Sequence, residues 1–159
     1  MEYKKCEYDN YTVHFFNTDK FKSILLSTVC INEFTKESLT KSALLRRLLT
    51  NTNGILKTET DMVKMSYNLY NSYVGIENIL HNNVLSTDFF MEILEDKYSE
   101  PGLLEKALDH YFNTMFIPNV ENDKFDSNNF KLAKKSLSDL YDTEKDNKDR
   151  YAYLKAYEM

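Results

Sequence analysis

KSILLSTVCI over residues 22–31, followed by LTKSALLRRLL over residues 39–49, is the stretch that decides how this chain folds. The first run is dense in β-branched and apolar residues and reads as a strand. The second carries Leu39, Ala43, Leu44, Arg46, Arg47 and Leu48 in a run with no glycine or proline, with Ser38 or Thr40 available as N-cap. A strand therefore leads into a helix. Upstream, YTVHFF over residues 11–16 reads as a second strand, adjacent to the first across the polar turn Asn17-Thr18-Asp19-Lys20. Downstream, Asn53-Gly54 is expected to close the helix, because both residues accept the left-handed conformation.

The same reasoning extends along the chain. Thr58 caps a second helix whose first turn holds Glu59 and Asp61, favourably placed against the helix dipole, with Met62, Met65, Leu69 and Tyr73 at helical spacing. Residues 74–94 return to strand-like text, GIENIL and VLSTDFFMEIL, broken at His81-Asn82-Asn83 as an antiparallel hairpin is. Pro101 is expected at the first position of a third helix, with Leu104, Ala107, Leu108, Tyr111 and Met115 as its buried stripe and an end before Pro118. Ser127 caps a fourth helix with Phe130, Ala133, Leu137 and Leu140 on its apolar side; a fifth covers residues 146–159, with Tyr151, Leu154 and Tyr157 together. Strands, two helices, strands and three helices give an α+β fold, an antiparallel-rich sheet packed against helices, as one domain over residues 1–159.

Charge and composition narrow the function. With 20 basic and 25 acidic residues the 159-residue chain carries −5, which repels phosphate backbones and anionic membranes, so neither nucleic acid nor a membrane is an expected partner. No apolar run follows Met1-Glu2-Tyr3-Lys4-Lys5 and no window approaches a membrane span, so the expected location is cytoplasmic. Cys6 and Cys30 lack C-x-x-C spacing and read as incidental thiols.

Chemistry-bearing motifs are sparse. Gly54, Gly75 and Gly102 are isolated, so no phosphate-cradling loop is present and no nucleotide cofactor is expected. His14, His81 and His110 have no carboxylate or second histidine three or four residues on, the spacing a helical metal site requires, and they read as structural or surface residues. Glu92, Glu95 and Asp96, and Asp139, Asp142 and Glu144, lack the ligand alternation and central glycine of a calcium loop and read as solvated faces. Lys131, Lys134 and Lys135 read as the wet side of the fourth helix.

The order of several short blocks carries more. Asp19-Lys20-Phe21-Lys22 enters a strand, then come Thr40-Lys41-Ser42-Ala43-Leu44-Leu45, Leu69-Tyr70-Asn71-Ser72, Leu103-Leu104-Glu105-Lys106-Ala107-Leu108, and Lys148-Asp149-Arg150-Tyr151-Ala152 with Tyr157-Glu158-Met159. In that order and spacing they resemble the N-terminal half of insulinase (pitrilysin) family proteins, and more narrowly the non-catalytic bacterial members. The resemblance covers about residues 11–159 and implies an insulinase-like half-domain whose further strand and helix lie beyond Met159. Asn71 departs from the glycine that related sequences often have there.

Active members of that family carry H-x-x-E-H on the first helix after the opening strands. Two histidines four apart share a helix face and reach one Zn²⁺, while the glutamate polarises the metal-bound water. Laid on that motif, this chain has Ala43 and Arg47 in the histidine slots and Arg46 in the glutamate slot. Alanine has no ligand atom, and a guanidinium has donors only. Shifting the register does not help, since no histidine lies between Val29 and Leu80. On the fourth helix the family's paired glutamates fall on Ala133 and Leu140, which are expected to pack with Phe130 and Leu137.

The resemblance thus implies a catalytically inactive peptidase homologue without metal or other cofactor, acting as a subunit or peptide-binding scaffold for an active zinc peptidase. Its partner would be an active insulinase-family subunit, or a second copy joined through an exposed sheet edge, and a peptide would be held by strand addition. In that role Arg46 and Arg47 meet acidic groups; a solvent-exposed helix face with simple ion pairs is the more ordinary reading of both. Two other classes stay open at this point: an active hydrolase using His14 or His81 with nearby carboxylates, and an interaction module unrelated to peptidases.

Overall fold

Alternation along residues 23–33 organises the molecule: Ile24, Leu26 and Cys30 pack against the core while Leu25, Val29 and Ile31 are exposed on the other face. A computed structural model describes residues 1–81, 83–143, 146–149 and 151–152. Its elements are β1 (Glu2–Glu7), β2 (Thr12–Asn17), β3 (Ser23–Glu33), α1 (Lys36–Asn51), α2 (Glu59–Asn68), β4 (Gly75–His81), β5 (Val84–Leu94), α3 (Leu103–Phe116), β6 (Val120–Glu121), β7 (Lys124–Phe125) and α4 (Ser127–Asp142). The fold is α+β. The main sheet has the order β3-β5-β4, antiparallel throughout, with Ile24 opposite Ile93 and Ile76 opposite Phe89.

The hairpin expected over residues 74–94 is present as β4 and β5. The strands at residues 11–16 and 22–31, by contrast, do not pair with each other. β2 pairs with β1 in a separate two-stranded ribbon, and β3 pairs with β5. The physical reason is the core: β3 finds Phe89, Met91 and Ile93 opposite its inward residues, whereas β2 has only an intermediate Val13 and five exposed residues. β1 escapes a sequence reading because Lys4, Lys5, Glu2 and Glu7 suppress strand propensity.

Helix ends follow local hydrogen-bond chemistry, with shifts of a few residues. Thr35 is the N-cap of α1: its Oγ1 accepts from the Ser38 N–H at 2.9 Å, and Ser38 Oγ accepts from the Thr35 N–H at 2.8 Å. Ser38 is thus the third-position partner in a capping box, not the cap. The helix closes on an extended Thr52, without a left-handed residue. Gly54 serves a different need, since its N–H donates to the Ile117 carbonyl at 2.5 Å and a Cβ there would meet Ile117 Cγ2 at 2.5 Å. Thr58 caps α2. Pro101 lies in the turn before α3, where Gly102 (φ 83°) is the cap and the Asp96 carboxylate accepts from the N–H groups of Gly102 and Leu104 at 2.9 and 2.8 Å. Asp126, one residue before Ser127, caps α4 through Asn129 N–H at 2.8 Å. The expected helix over residues 146–159 lies largely outside the described residues.

One core joins these pieces. Phe89, Met91 and Ile93 of β5 meet Leu103, Ala107 and Tyr111 of α3, with Leu49, Leu69, Val74 and Ile76 closing the side. Burying each large side chain there stabilises by roughly 1.5–3 kcal/mol. Tyr73, assigned to the α2 stripe, is exposed because it lies beyond the end of α2. Tyr111 also directs its hydroxyl to the Phe89 carbonyl and to Thr28 Oγ1, both at 2.9 Å, and so ties α3 to β5 and β3.

Candidate functional site

Of the slots singled out on the first and fourth helices, Arg47 and Ala133 lie at one seam. Arg47 Nη1 donates to Ser136 Oγ at 2.7 Å, while Asn129 Nδ2 donates to Thr52 Oγ1 at 2.7 Å and to the Leu48 carbonyl at 3.4 Å. Rising numbers on α4 thus match falling numbers on α1, and the helices run antiparallel. Ala133 lies between these two bonds and is fully buried. One turn further the register leads toward Ala43 and Leu140. Leu140 is 43 % exposed, so it does not pack as expected; Phe130, 38 % exposed, does so only in part. The alanine methyl is too short to cover a leucine, and only Asn129 and Ala133 of α4 are fully buried.

Arg46 points the seam toward the sheet. It lines, with Arg47, Tyr73, Gly75, Glu77 and Phe90, a cavity of about 360 Å³ between α1 and β4. β4 is an edge strand of the main sheet, so its outer backbone groups border that cavity without a neighbouring strand among the described residues. Neither Arg46 nor Arg47 forms an ion pair among the described residues. Two guanidiniums without an ion-pair partner repel a divalent metal, and among the residues lining the cavity Glu77 is the one carboxylate, a single ligand where a zinc site needs three or four. The seam does not fit a zinc ion. More widely, no group of three His, Cys, Asp or Glu side chains able to hold a metal occurs among the described residues.

Other singled-out residues are dispersed. His14 lies on the exposed β1–β2 ribbon, its Nδ1 2.8 Å from the Tyr3 hydroxyl. Cys6 is opposite Val13 and His14 opposite Lys5, so the thiol and imidazole leave opposite faces and form no dyad. The side chain of His81 lies outside the described residues. Cys30 is partly buried, and burial, then the neighbouring Asp88 charge, pushes its thiol pKa up, away from a reactive thiolate. Glu92 accepts from Ser23 at 2.5 Å, Glu95 pairs with Lys97 at 2.7 Å and Asp96 caps α3, so that acidic cluster has structural work. Lys131, Lys134 and Lys135 are exposed.

Two polar residues escaped the sequence reading. Asn129 is the amide that joins α4 to the end of α1; its position three residues after the cap was the available signal. Asp88, midway along β5, has a buried Oδ1 with no hydrogen-bond partner among the described residues, and Glu77 stands opposite it on β4. No helix among the described residues is long and apolar enough to cross a membrane.

This chain is similar to a metallopeptidase-like protein. The probable inactive metalloprotease YmfF of Bacillus subtilis (strain 168) is 30% identical over 154 residues, 95% of this chain and 36% of that protein. The chain therefore spans about a third of the length of the relative it matches. A conserved protein from Enterococcus faecalis V583 shares the fold, with a TM-score of 0.83 and 24% identity over 90% of this chain and 34% of that one. No protein-family model matches.

Proposed function

We propose that this chain is a catalytically inactive peptidase homologue of the insulinase (pitrilysin) type, serving as a subunit or peptide-binding scaffold beside an active zinc peptidase. The observation that carries this reading is the α1–α4 seam, crossed by an Arg47–Ser136 hydrogen bond; the resemblance puts Ala43, Arg46, Arg47, Ala133 and Leu140 in the slots of the inverted zinc motif on these two helices. The description of its relative as a probable inactive metalloprotease supports it. Loss of every ligand is more coherent than loss of one, because a half-satisfied polar site is costly to bury.

In this role the chain binds and shapes. An extended peptide adds to the outer edge of β4 by backbone hydrogen bonds, and the cavity bordered by Arg46 and Arg47 receives its side chains, acidic ones most favourably. The active partner subunit supplies the metal and the water; self-association through the same edge is the competing use of β4. The test is elemental analysis of the purified protein together with a peptide-cleavage assay, run with and without chelator. Substoichiometric zinc and no turnover are expected. Stoichiometric zinc with chelator-sensitive cleavage overturns the proposal.

A further inference from the structure

A second cavity, on the helical side of the sheet and independent of the α1–α4 seam, has a volume of about 540 Å³, within the range of small-ligand sites. Its walls are α3, the last turn of α2 and the segment after α1. His110 is its distinctive member. The residue is only 4% exposed, yet its imidazole has no hydrogen-bond partner among the described residues, and neither ring nitrogen is sealed from the cavity space. Ring nitrogens open to the cavity and unused by the protein are free to bond to whatever fills it. The imidazole is thus an unpaired hydrogen-bonding group on the cavity wall.

The rest of the lining says what kind of occupant. Ile55, Leu56, Met65 and Leu69 supply an apolar surface. The side-chain amides of Asn68 and Asn113 make no hydrogen bond among the described residues, and the Asp109 carboxylate is in no ion pair there. The one basic side chain at the cavity, Lys106, is already neutralised by Glu100 at 3.1 Å. The free charge is therefore negative, and carboxylate, amide oxygens and one nitrogen of a neutral imidazole are acceptors. Burial lowers the His110 pKa, which keeps the ring in the neutral form that can accept.

We infer that this cavity binds an amphipathic organic cation, an ammonium or guanidinium on an apolar stem, whose head meets Asp109 and His110 while its stem lies on Leu56, Met65 and Leu69. The stem is transferred from water to apolar surface and the head gains charge-assisted hydrogen bonds. The same chemistry is offered by a free alkylguanidine and by an arginine side chain of a protein partner.

The experiment is a titration followed by NMR of the His110 imidazole, assigned with the other two histidines replaced. The probes are n-butylguanidinium, a short arginine peptide with blocked ends, and butyrate as the anion of similar stem. A saturable His110 shift with n-butylguanidinium assigns the site to a free cation, and one with the peptide alone assigns it to a partner's side chain. Butyrate is expected to leave the resonance unmoved, and Asp109→Asn, an exposed substitution that spares the fold, to weaken cation binding about tenfold. No saturable shift with either cation, an equal shift with butyrate, or undiminished affinity in D109N overturns the inference.

Discussion

Asn129→Ala tests whether an amide, and not the guanidinium, holds α4 to α1. The Asn129 side chain is buried and its Nδ2 donates to Thr52 Oγ1 at 2.7 Å, the shorter of its contacts; the bond to the Leu48 carbonyl is long at 3.4 Å. Losing one good hydrogen bond costs roughly 1 kcal/mol, and stranding a buried hydroxyl costs about 1–3 kcal/mol in overlapping measure. Thr52 is 5% exposed and has no other side-chain partner among the described residues, so about 2–3 kcal/mol is the expected total. For a chain of this size each kcal/mol moves the melting temperature by roughly 2–4 °C, giving a fall of about 5–10 °C. Arg47→Ala removes a partly solvated bond to Ser136 and is expected to cost less than about 1 kcal/mol. Circular dichroism melts and urea midpoints with unchanged m-values read both variants. If N129A melts within a degree of the parent, or R47A is the more damaging, the account of the seam is wrong.

Further outcomes follow from single contacts. Because burial lowers the His110 pKa below its ordinary 6.5, the unfolded chain takes up the proton first as pH falls. The contribution of His110 is thus complete above about pH 6.5 and declines below it, and His110→Gln should flatten the slope of stability against pH between 7 and 5. Tyr111→Phe strips the Phe89 carbonyl and Thr28 of a shared donor and should lower unfolding free energy by about 1–2 kcal/mol in urea titrations, with an unchanged fold by circular dichroism. A Cβ at Gly75 would sit 2.3 Å from Phe90 Cζ, so Gly75→Ala should destabilise by about 1–3 kcal/mol, and less when combined with Phe90→Leu; additive costs in that double-mutant cycle would disprove the clash.

Much of the fold could be read from pattern, because hydrophobic period and turn chemistry are local. β4, β5 and the existence of four helices come from alternation, from Thr58 and from the glycine-free apolar stripes. Pairing is less legible. Nothing near residues 11–31 states that β3 seeks β5, some 60 residues on, in preference to its neighbour; only the shared core with Phe89, Met91 and Ile93 decides it. β1 was hidden by charge. At the seam, the family resemblance alone points to slots without a ligand atom at Ala43 and Ala133, and it does not say what joins the helices, since Asn129, Thr52 and Ser136 are ordinary polar residues until two helices bring them together. His110 shows the same limit: it falls on the stripe of Leu103, Ala107 and Thr114, so its burial is readable, whereas its lack of a partner depends on the cavity.

A metal that binds the folded state alone adds about 2.7 kcal/mol when present at a hundred times its dissociation constant, which for a protein of this size raises the melting temperature by roughly 5–10 °C. Here the two helices are joined by Asn129, by the Arg47–Ser136 bond and by close contact at the fully buried Ala133, none of which involves a metal ion. Arg46 and Arg47 add repulsion that any incoming divalent ion must overcome. Melting curves in excess chelator and in micromolar zinc are therefore expected to coincide within about 1 °C. Replacing Arg46 by Glu and Arg47 by His reverses the local charge yet leaves Ala43, Ala133 and Leu140 without ligand atoms, so a zinc-dependent rise should stay small in that variant as well. A zinc-induced rise of several degrees in the parent chain, lost on adding chelator, would mean that the seam recruits ligands this arrangement does not contain.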